Sequence, residues 1–150
     1  MDDHRLTIEP PVYLIGKMHS CWRCGEKMPV VTILAPKVEG AAGEICILSE
    51  ITELPDAVLA YIQGRVPTFK LKFSKTIEQK YFASTCPKCG VLSGDFHLHS
   101  EPGAPFFPID KREAASLYMT QIPVAGRIYA RASIDTDCGD LILKNAKRIP

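Results

Sequence analysis

Two short cysteine motifs constrain the fold of this 150-residue chain more than any other feature. Cys21-Trp22-Arg23-Cys24-Gly25 and Cys86-Pro87-Lys88-Cys89-Gly90 share one pattern, in which two residues separate a pair of cysteines and a glycine follows. This spacing lets a tight turn direct two thiolates at one ion, with backbone amides facing the sulfurs. Four sulfurs fill a tetrahedral shell and leave no position for water, so the sequence predicts one structural, non-catalytic Zn2+. The predicted ligands are Cys21, Cys24, Cys86 and Cys89.

Other interpretations of the cysteines remain open. Paired disulfides are rare in reducing cytosol, and the first residues lack the basic start and apolar centre of a secretory signal. A dithiol redox centre at residues 86–89 would need its first cysteine at a helix N-terminus, but the following Gly90-Val91-Leu92-Ser93-Gly94 is a poor helix start. His19, two residues before Cys21, could support the zinc shell or replace a cysteine in it.

Both motifs resemble the knuckles of the zinc-ribbon family, which have the form C-x-x-C-G. The resemblance covers residues 21–25 and 86–90 only. Positions 25 to 85 separate the two cysteine pairs, 61 residues where simple zinc modules have about 15 to 20. The resemblance therefore implies a zinc-ribbon scaffold with a long insertion. Zinc ribbons occur in nucleic-acid machinery and in protein-binding modules, so it implies a role in binding.

Length and composition favour a single zinc-stabilised domain over residues 1–150. Hydrophobic residues make up 46% and charged residues 23%, as in ordinary globular proteins. The net charge is only +1, which gives no overall field to attract nucleic acid or an anionic membrane. No apolar run approaches the roughly 20 residues that span a bilayer. We expect a bacterial-type, cytoplasmic protein with no membrane partner.

Hydrophobic periodicity predicts an α+β fold of mostly antiparallel strands with two short helices and the zinc-ribbon-like four-cysteine site. A strand on each side of each cysteine motif would form two hairpins, whose tips the metal would hold together. Residues 1–11 are expected to be a loose N-terminal arm and residues 144–150 a basic tail. Helices are expected over 52–64 and, from an Asp110 capping box, over 110–121. The expected strands are 12–17, 28–38, 44–49, 69–73, 75–85, 95–100, 124–134 and 141–143.

Asp95, His97 and His99 form a second candidate site. On a strand these three side chains would share one face, where they could bind a second metal or act as acid and base near neutral pH. The alternative function is therefore a metal-dependent hydrolase. A polar outer face on a half-buried strand needs no function, however, and no third strong ligand stands beside the two histidines in the sequence.

A set of lysines is a candidate nucleic-acid contact. Lys70 and Lys72 alternate with apolar residues on a predicted strand, and aromatic residues follow nearby. Cationic and aromatic side chains together suit single-stranded nucleic acid. Lysines also protect exposed edge strands from pairing, and that interpretation needs no partner. The candidate contacts are Lys70, Lys72, Lys75 and Lys80, joined by Lys144, Lys147 and Arg148 of the expected tail, with Phe73, Tyr81 and Phe82 beside them.

Two cysteines lie outside the motifs. Cys46 stands in an apolar run, which predicts core packing. Cys138 lies in an acidic turn with Asp135 and Asp137, which should raise its pKa and disfavour a reactive thiolate.

The sequence contains none of the common nucleophile, phosphate-loop or zinc-protease motifs, so we expect no catalytic residues. The preferred function is a non-enzymatic zinc-binding module that binds a macromolecule. A protein partner ranks ahead of nucleic acid.

Overall fold

The computed structural model describes residues 5–75 and 77–150, and for Phe96 the backbone only. The fold is α+β and mostly antiparallel, as predicted. The strands of these ranges are β1 (Arg5–Glu9), β2 (Val12–Ser20), β3 (Lys27–Ala35), β4 (Lys37–Val38), β5 (Cys46–Glu53), β6 (Phe69–Ser74), β7 (Gln79–Thr85), β8 (Leu92–Ser93), β9 (Tyr118–Ile122), β10 (Ile128–Asp135) and β11 (Lys147–Arg148). The helices are α1 (Asp56–Arg65), α2 (Asp95–His99), α3 (Lys111–Ala115) and α4 (Gly139–Asn145).

Eight strands form one sheet in the order β11-β9-β2-β3-β5-β10-β1-β4, antiparallel except for the β11–β9 pair. Prolines, which cannot donate to a strand ladder, divide two of its long segments: Pro10-Pro11 separates β1 from β2, and Pro36 separates β3 from β4. The β2–β3 hairpin continues beyond these prolines as the β1–β4 pair. Strands β3 and β4 follow each other directly in the chain, yet β3 lies in the middle of the sheet and β4 at its end. The end of the sheet therefore lies next to its middle.

Strand β3 is buried on both faces, which explains its nearly continuous apolar sequence. Alternate residues face two separate hydrophobic cores on either side of the sheet. Val31, Ile33 and Ala35 pack in the core that contains α1, whereas Met28, Val30 and Leu34 pack in the core that contains α4. The sheet therefore lies between the two cores.

A second sheet, in the order β6-β7-β8, packs against the first. The backbone N–H of Val31 in β3 donates to Ser84 Oγ in β7 at 3.1 Å, which joins the two sheets. The alternation of β6 places Phe69 in the core, but Leu71 and Phe73 on the same face are 46% and 52% exposed. The far end of the β6–β7 hairpin thus extends beyond the core.

Several local predictions were wrong. Residues 5–9 of the expected arm form β1, because Ile8 is fully buried between β10 and β4; residues 1–4 lie outside the described residues. In the expected basic tail, Lys147 and Arg148 form β11 beside β9. Residues 141–143 are helical in α4, since a short apolar run does not distinguish a strand from a helix. The division into domains stays a prediction.

The predicted helices are present but shorter. In α1, Val58 and Ile62 are buried, while residues 52–53 belong to β5. Asp110 caps α3, since its Oδ1 accepts from the backbone N–H of Glu113 at 2.8 Å. The following residues 118–122 leave the helix and form β9, which pairs with β2. None of the described helices has the length and apolar character needed to cross a membrane.

Candidate metal centre

The first cysteine motif, which we call the first knuckle (residues 21–25), forms the tip of the β2–β3 hairpin. The backbone N–H of Gly25 donates to the carbonyl of Cys21 at 2.9 Å, and the N–H of Cys21 donates to the carbonyl of Glu26 at 2.8 Å. Gly25 has φ of 77°, in the left-handed region that favours glycine. The glycine of the motif is thus required by the turn.

The second knuckle (residues 86–90) repeats this turn between β7 and β8. Gly90 donates to Cys86 at 2.9 Å, Cys86 donates to Val91 at 2.9 Å, and Gly90 has φ of 78°. The predicted strand–knuckle–strand arrangement is therefore present twice. The second hairpin closes with β8, however, and not with residues 95–100.

The fold brings the four sulfur atoms of the knuckles together. Cys21 Sγ lies 3.7 Å from Cys89 Sγ, and Cys24 Sγ lies 3.6 Å from Cys86 Sγ. All four lie within 4.8 Å of one another. With Zn–S bonds of about 2.3 Å, the edge of a regular ZnS4 tetrahedron is about 3.8 Å, whereas a disulfide bond is about 2.05 Å. The spacing therefore fits four sulfurs around one metal ion.

Backbone amides face the sulfurs, as the motif predicts. The N–H of Arg23 lies 3.4 Å from Cys21 Sγ, and the N–H groups of Lys88 and Cys89 lie 3.4 and 3.5 Å from Cys86 Sγ. The N–H groups of Cys89 and Lys88 lower the pKa of Cys86 to about 6. The N–H groups that face the sulfurs therefore favour the thiolate form, which metal binding requires.

The second cysteine of the first knuckle behaves differently. The N–H of Glu26 lowers the pKa of Cys24, but partial desolvation of its sulfur and the neighbouring thiols together raise it to about 11. Four adjacent thiols therefore do not all ionise at neutral pH unless a cation balances their charge. A metal ion held by the four sulfurs would supply that charge.

A hydrogen bond also joins the two knuckle regions beside the sulfurs. Trp22 Nε1–H donates to the carbonyl of Leu92 in β8 at 2.9 Å, although the Trp22 side chain is 66% exposed. Nothing in the sequence indicates this contact except the position of Trp22 inside the motif. Within each cysteine pair the first residue, Cys21 or Cys86, is buried and the second is exposed.

The second candidate site is not assembled as predicted. Asp95, His97 and His99 lie on α2, not on a strand, so successive residues do not alternate between two faces. Asp95 and His99 are four residues apart, with Oδ2 and Nε2 separated by 3.9 Å, while His97 is exposed. The four knuckle cysteines are the one group of possible metal ligands that the described ranges contain, and His19 is not part of it.

Asp95 and His99 instead serve the packing of α2. Asp95 Oδ2 accepts from the backbone N–H of Glu50 in β5 at 2.6 Å, and Tyr81 OH accepts from the N–H of Asp95 at 3.0 Å. Burial raises the pKa of Asp95 to about 7 and lowers that of His99 to about 4. His99 is therefore neutral at pH 7, whereas Asp95 is mostly protonated only below about pH 7.

The candidate lysines lie around the β6–β7 hairpin on opposite faces. Lys70 and Lys72 point to the face that carries Tyr81, whereas Lys80 lies opposite Phe73 on the other face. Lys75 follows the end of β6 and is exposed. The four lysines therefore lie around the hairpin and do not form one continuous cationic surface.

The two remaining cysteines are buried. Cys46 packs in the core that contains α1, as predicted. Burial, followed by Asp135 and Asp137, raises the pKa of Cys138 to about 12. Its Sγ lies 3.2 Å from the carbonyl of Phe106. The direction of that shift was predicted, but burial is its larger cause.

No family model, curated protein or solved structure matches this chain.

Proposed function

We propose that the two knuckles bind one structural Zn2+ through Cys21, Cys24, Cys86 and Cys89, and that the chain is a zinc-ribbon-like binding module. One observation carries the proposal: sulfurs from hairpins far apart in sequence lie 3.6 and 3.7 Å apart, close to the edge of a ZnS4 tetrahedron. A tetrahedral set of four sulfurs suits zinc or iron. Four thiolates leave no position for a substrate, so the metal has a structural role.

Metal analysis of the purified protein tests this proposal. We expect one equivalent of zinc, its loss in Cys24→Ser and Cys89→Ser, and a lower Tm after chelation. Cys46→Ala is the matched control, because Cys46 lies in the core and not in the cluster, and it should retain one equivalent. Less than half an equivalent with unchanged folding after chelation would contradict the proposal. One equivalent of iron would contradict the choice of zinc.

We further propose that the partner is an anionic macromolecule that binds beside the knuckles. Residues 70–90 contain five lysines and one glutamate, a formal charge of +4, although the whole chain carries +1. The zinc ion and four thiolates would add −2. Two exposed cationic side chains lie on the knuckles beside this negative charge. They are Arg23 on the first knuckle and, on the second, Lys88, which is one of the five lysines of residues 70–90. A protein with an acidic surface and a nucleic acid both belong to this class.

Salt dependence tests the charge of the partner. Binding to an anionic partner should weaken steeply as the salt concentration rises, and Lys70→Ala with Lys72→Ala should reduce the slope. An interaction with the native partner that is independent of salt would contradict an anionic surface.

A further inference from the structure

A cleft of about 520 Å³ lies between the knuckles and the end of the β6–β7 hairpin. We call it the knuckle cleft, and its volume is in the usual range of small-molecule sites. It is lined by an exposed tryptophan and an exposed phenylalanine, by two lysines and by two acidic residues. These aromatic, basic and acidic residues are Trp22, Phe73, Lys72, Lys75, Glu50 and Asp95.

The aromatic part of the cleft is already in place. Trp22 is 66% exposed, yet the hydrogen bond from its Nε1 to the carbonyl of Leu92 fixes the indole across the two hairpins. Phe73 is 52% exposed and lines the same cleft. A large aromatic ring that is both exposed and held loses little conformational entropy when a flat ligand stacks on it.

The cationic part comes from the end of β6. Lys72 is half-buried, Lys75 is exposed, and both line the cleft. Within residues 5–75 and 77–150 neither lysine has an ion-pair partner. Two unpaired ammonium groups beside aromatic rings suit the phosphate of a ligand whose ring stacks on the aromatic residues.

The carboxylates come from other elements, Glu50 from β5 and Asp95 from α2. Glu50 would repel a phosphate, whereas the acidic groups of both residues can accept a hydrogen bond from an amino group, as carboxylates do from the amino group of cytosine. Asp95 is fixed in place, because its Oδ2 accepts from the backbone N–H of Glu50. The cleft therefore combines cationic groups that suit a phosphate with acidic groups that suit an amino-bearing ring.

We propose that the knuckle cleft binds a nucleoside monophosphate unit with an amino-bearing base, either free or within a single-stranded nucleic acid. The base stacks on Trp22, the phosphate pairs with Lys72 and Lys75, and the amino group donates to a carboxylate of the cleft. The inference rests on the proposed zinc site, since Trp22 and Leu92 belong to hairpins that the ion joins.

The fluorescence of Trp22 is a direct probe, because the chain has one tryptophan. We expect AMP and a single-stranded adenine decanucleotide to quench it in the zinc-loaded protein. The double substitution Lys72→Ala, Lys75→Ala should weaken binding at least tenfold. The matched control Lys37→Ala, Lys111→Ala removes two exposed lysines that do not line the cleft, and its affinity should not change. UMP, whose base has no amino group, should bind at least tenfold more weakly than AMP.

The two sources of the ligand give different results. A decanucleotide that binds at least tenfold more tightly than AMP, and that Lys70→Ala with Lys80→Ala weakens, supports a nucleic acid. Equal affinities support a free nucleotide.

The absence of quenching by both ligands would overturn the inference, as would equal binding of UMP and AMP. Equal quenching by a glutamate decapeptide would overturn it in favour of an acidic protein. Zinc content measured on the same sample separates failure of the cleft from failure of the metal site.

Discussion

The substitution Asp95→Asn tests whether the fold keeps a carboxyl group neutral beneath the knuckle cleft. The Asp95 side chain is 12% exposed, and burial raises its pKa from 3.8 to about 7. Asparagine has nearly the same shape and carries no charge, and its amide oxygen can still accept from the backbone N–H of Glu50. The variant therefore removes the titration while it preserves the hydrogen bond.

The direction in which stability changes with pH follows from the number of protons that the folded and unfolded states bind. Between pH 3.8 and about 7 the folded protein holds more protons at Asp95 than the unfolded chain does, so stability falls as the pH rises through that window. Each pH unit inside the window costs about 1.4 kcal/mol of unfolding free energy. Integration of the two titration curves from pH 5.5 to 8 gives a loss of about 2 kcal/mol. Asp95→Asn should gain this amount relative to the wild type.

His99 contributes in the opposite direction. Burial lowers its pKa from 6.5 to about 4, so the unfolded chain binds more protons between these values and stability rises with pH there. The effects of Asp95 and His99 on the wild-type pH profile therefore nearly cancel below pH 6.5. The difference between Asp95→Asn and the wild type removes the His99 contribution and isolates the carboxyl group.

Urea unfolding of both proteins at pH 5.5, 6.5, 7.5 and 8 provides the measurement. Glu101→Gln is the control, because it removes an exposed carboxylate close to α2, and its difference from the wild type should be constant. A constant difference for Asp95→Asn over this range would refute the raised pKa. It would indicate that Asp95 is ionised throughout this range.

Three further substitutions probe the packing that positions the knuckles, each by urea unfolding. Gly139→Ala would place a methyl group against the backbone carbonyl oxygen of Ile45, closer than van der Waals contact allows, so it should cost about 2 to 3 kcal/mol; Gly126→Ala, with open space around it, should cost under about 1 kcal/mol. Equal effects would contradict the close approach. Asp110→Ala removes the cap of α3 and should cost about 1 kcal/mol, and an unchanged midpoint would deny the cap that role. Ser84→Ala leaves the buried N–H of Val31 without its acceptor and should cost about 1 to 3 kcal/mol; a neutral effect would mean that this bond does not join the sheets.

The cysteine turns could be predicted because their geometry is local. The C-x-x-C-G pattern specifies a turn with a left-handed glycine and two converging thiols, and Gly25 and Gly90 have nearly the same φ. The apolar sequences on either side of the first motif predicted its hairpin. The burial of Cys46 followed equally from its apolar run.

Long-range contacts decided the elements that the sequence did not predict. Residues 5–9 resemble an arm, but Ile8 is buried because β10 and β4 lie on either side of it. Alternation of Asp95, His97 and His99 resembles a strand, yet Leu98 and His99 are buried together, as neighbours on one side of a short helix can be. The knuckle cleft depends on residues from four separate segments, so no local pattern could indicate it.

The long separation of the knuckles in sequence is compatible with a shared metal because the fold already brings them together. Closing a loop of about 65 residues in a free chain would cost about 4 kcal/mol in entropy. Here three hydrogen bonds that do not involve the metal join the two sheets or their adjoining segments: Val31 to Ser84, Glu50 to Asp95 and Trp22 to Leu92. An ion would therefore bind thiols that the sheets have largely positioned, and an insertion of 61 residues does not argue against a zinc-ribbon-like site.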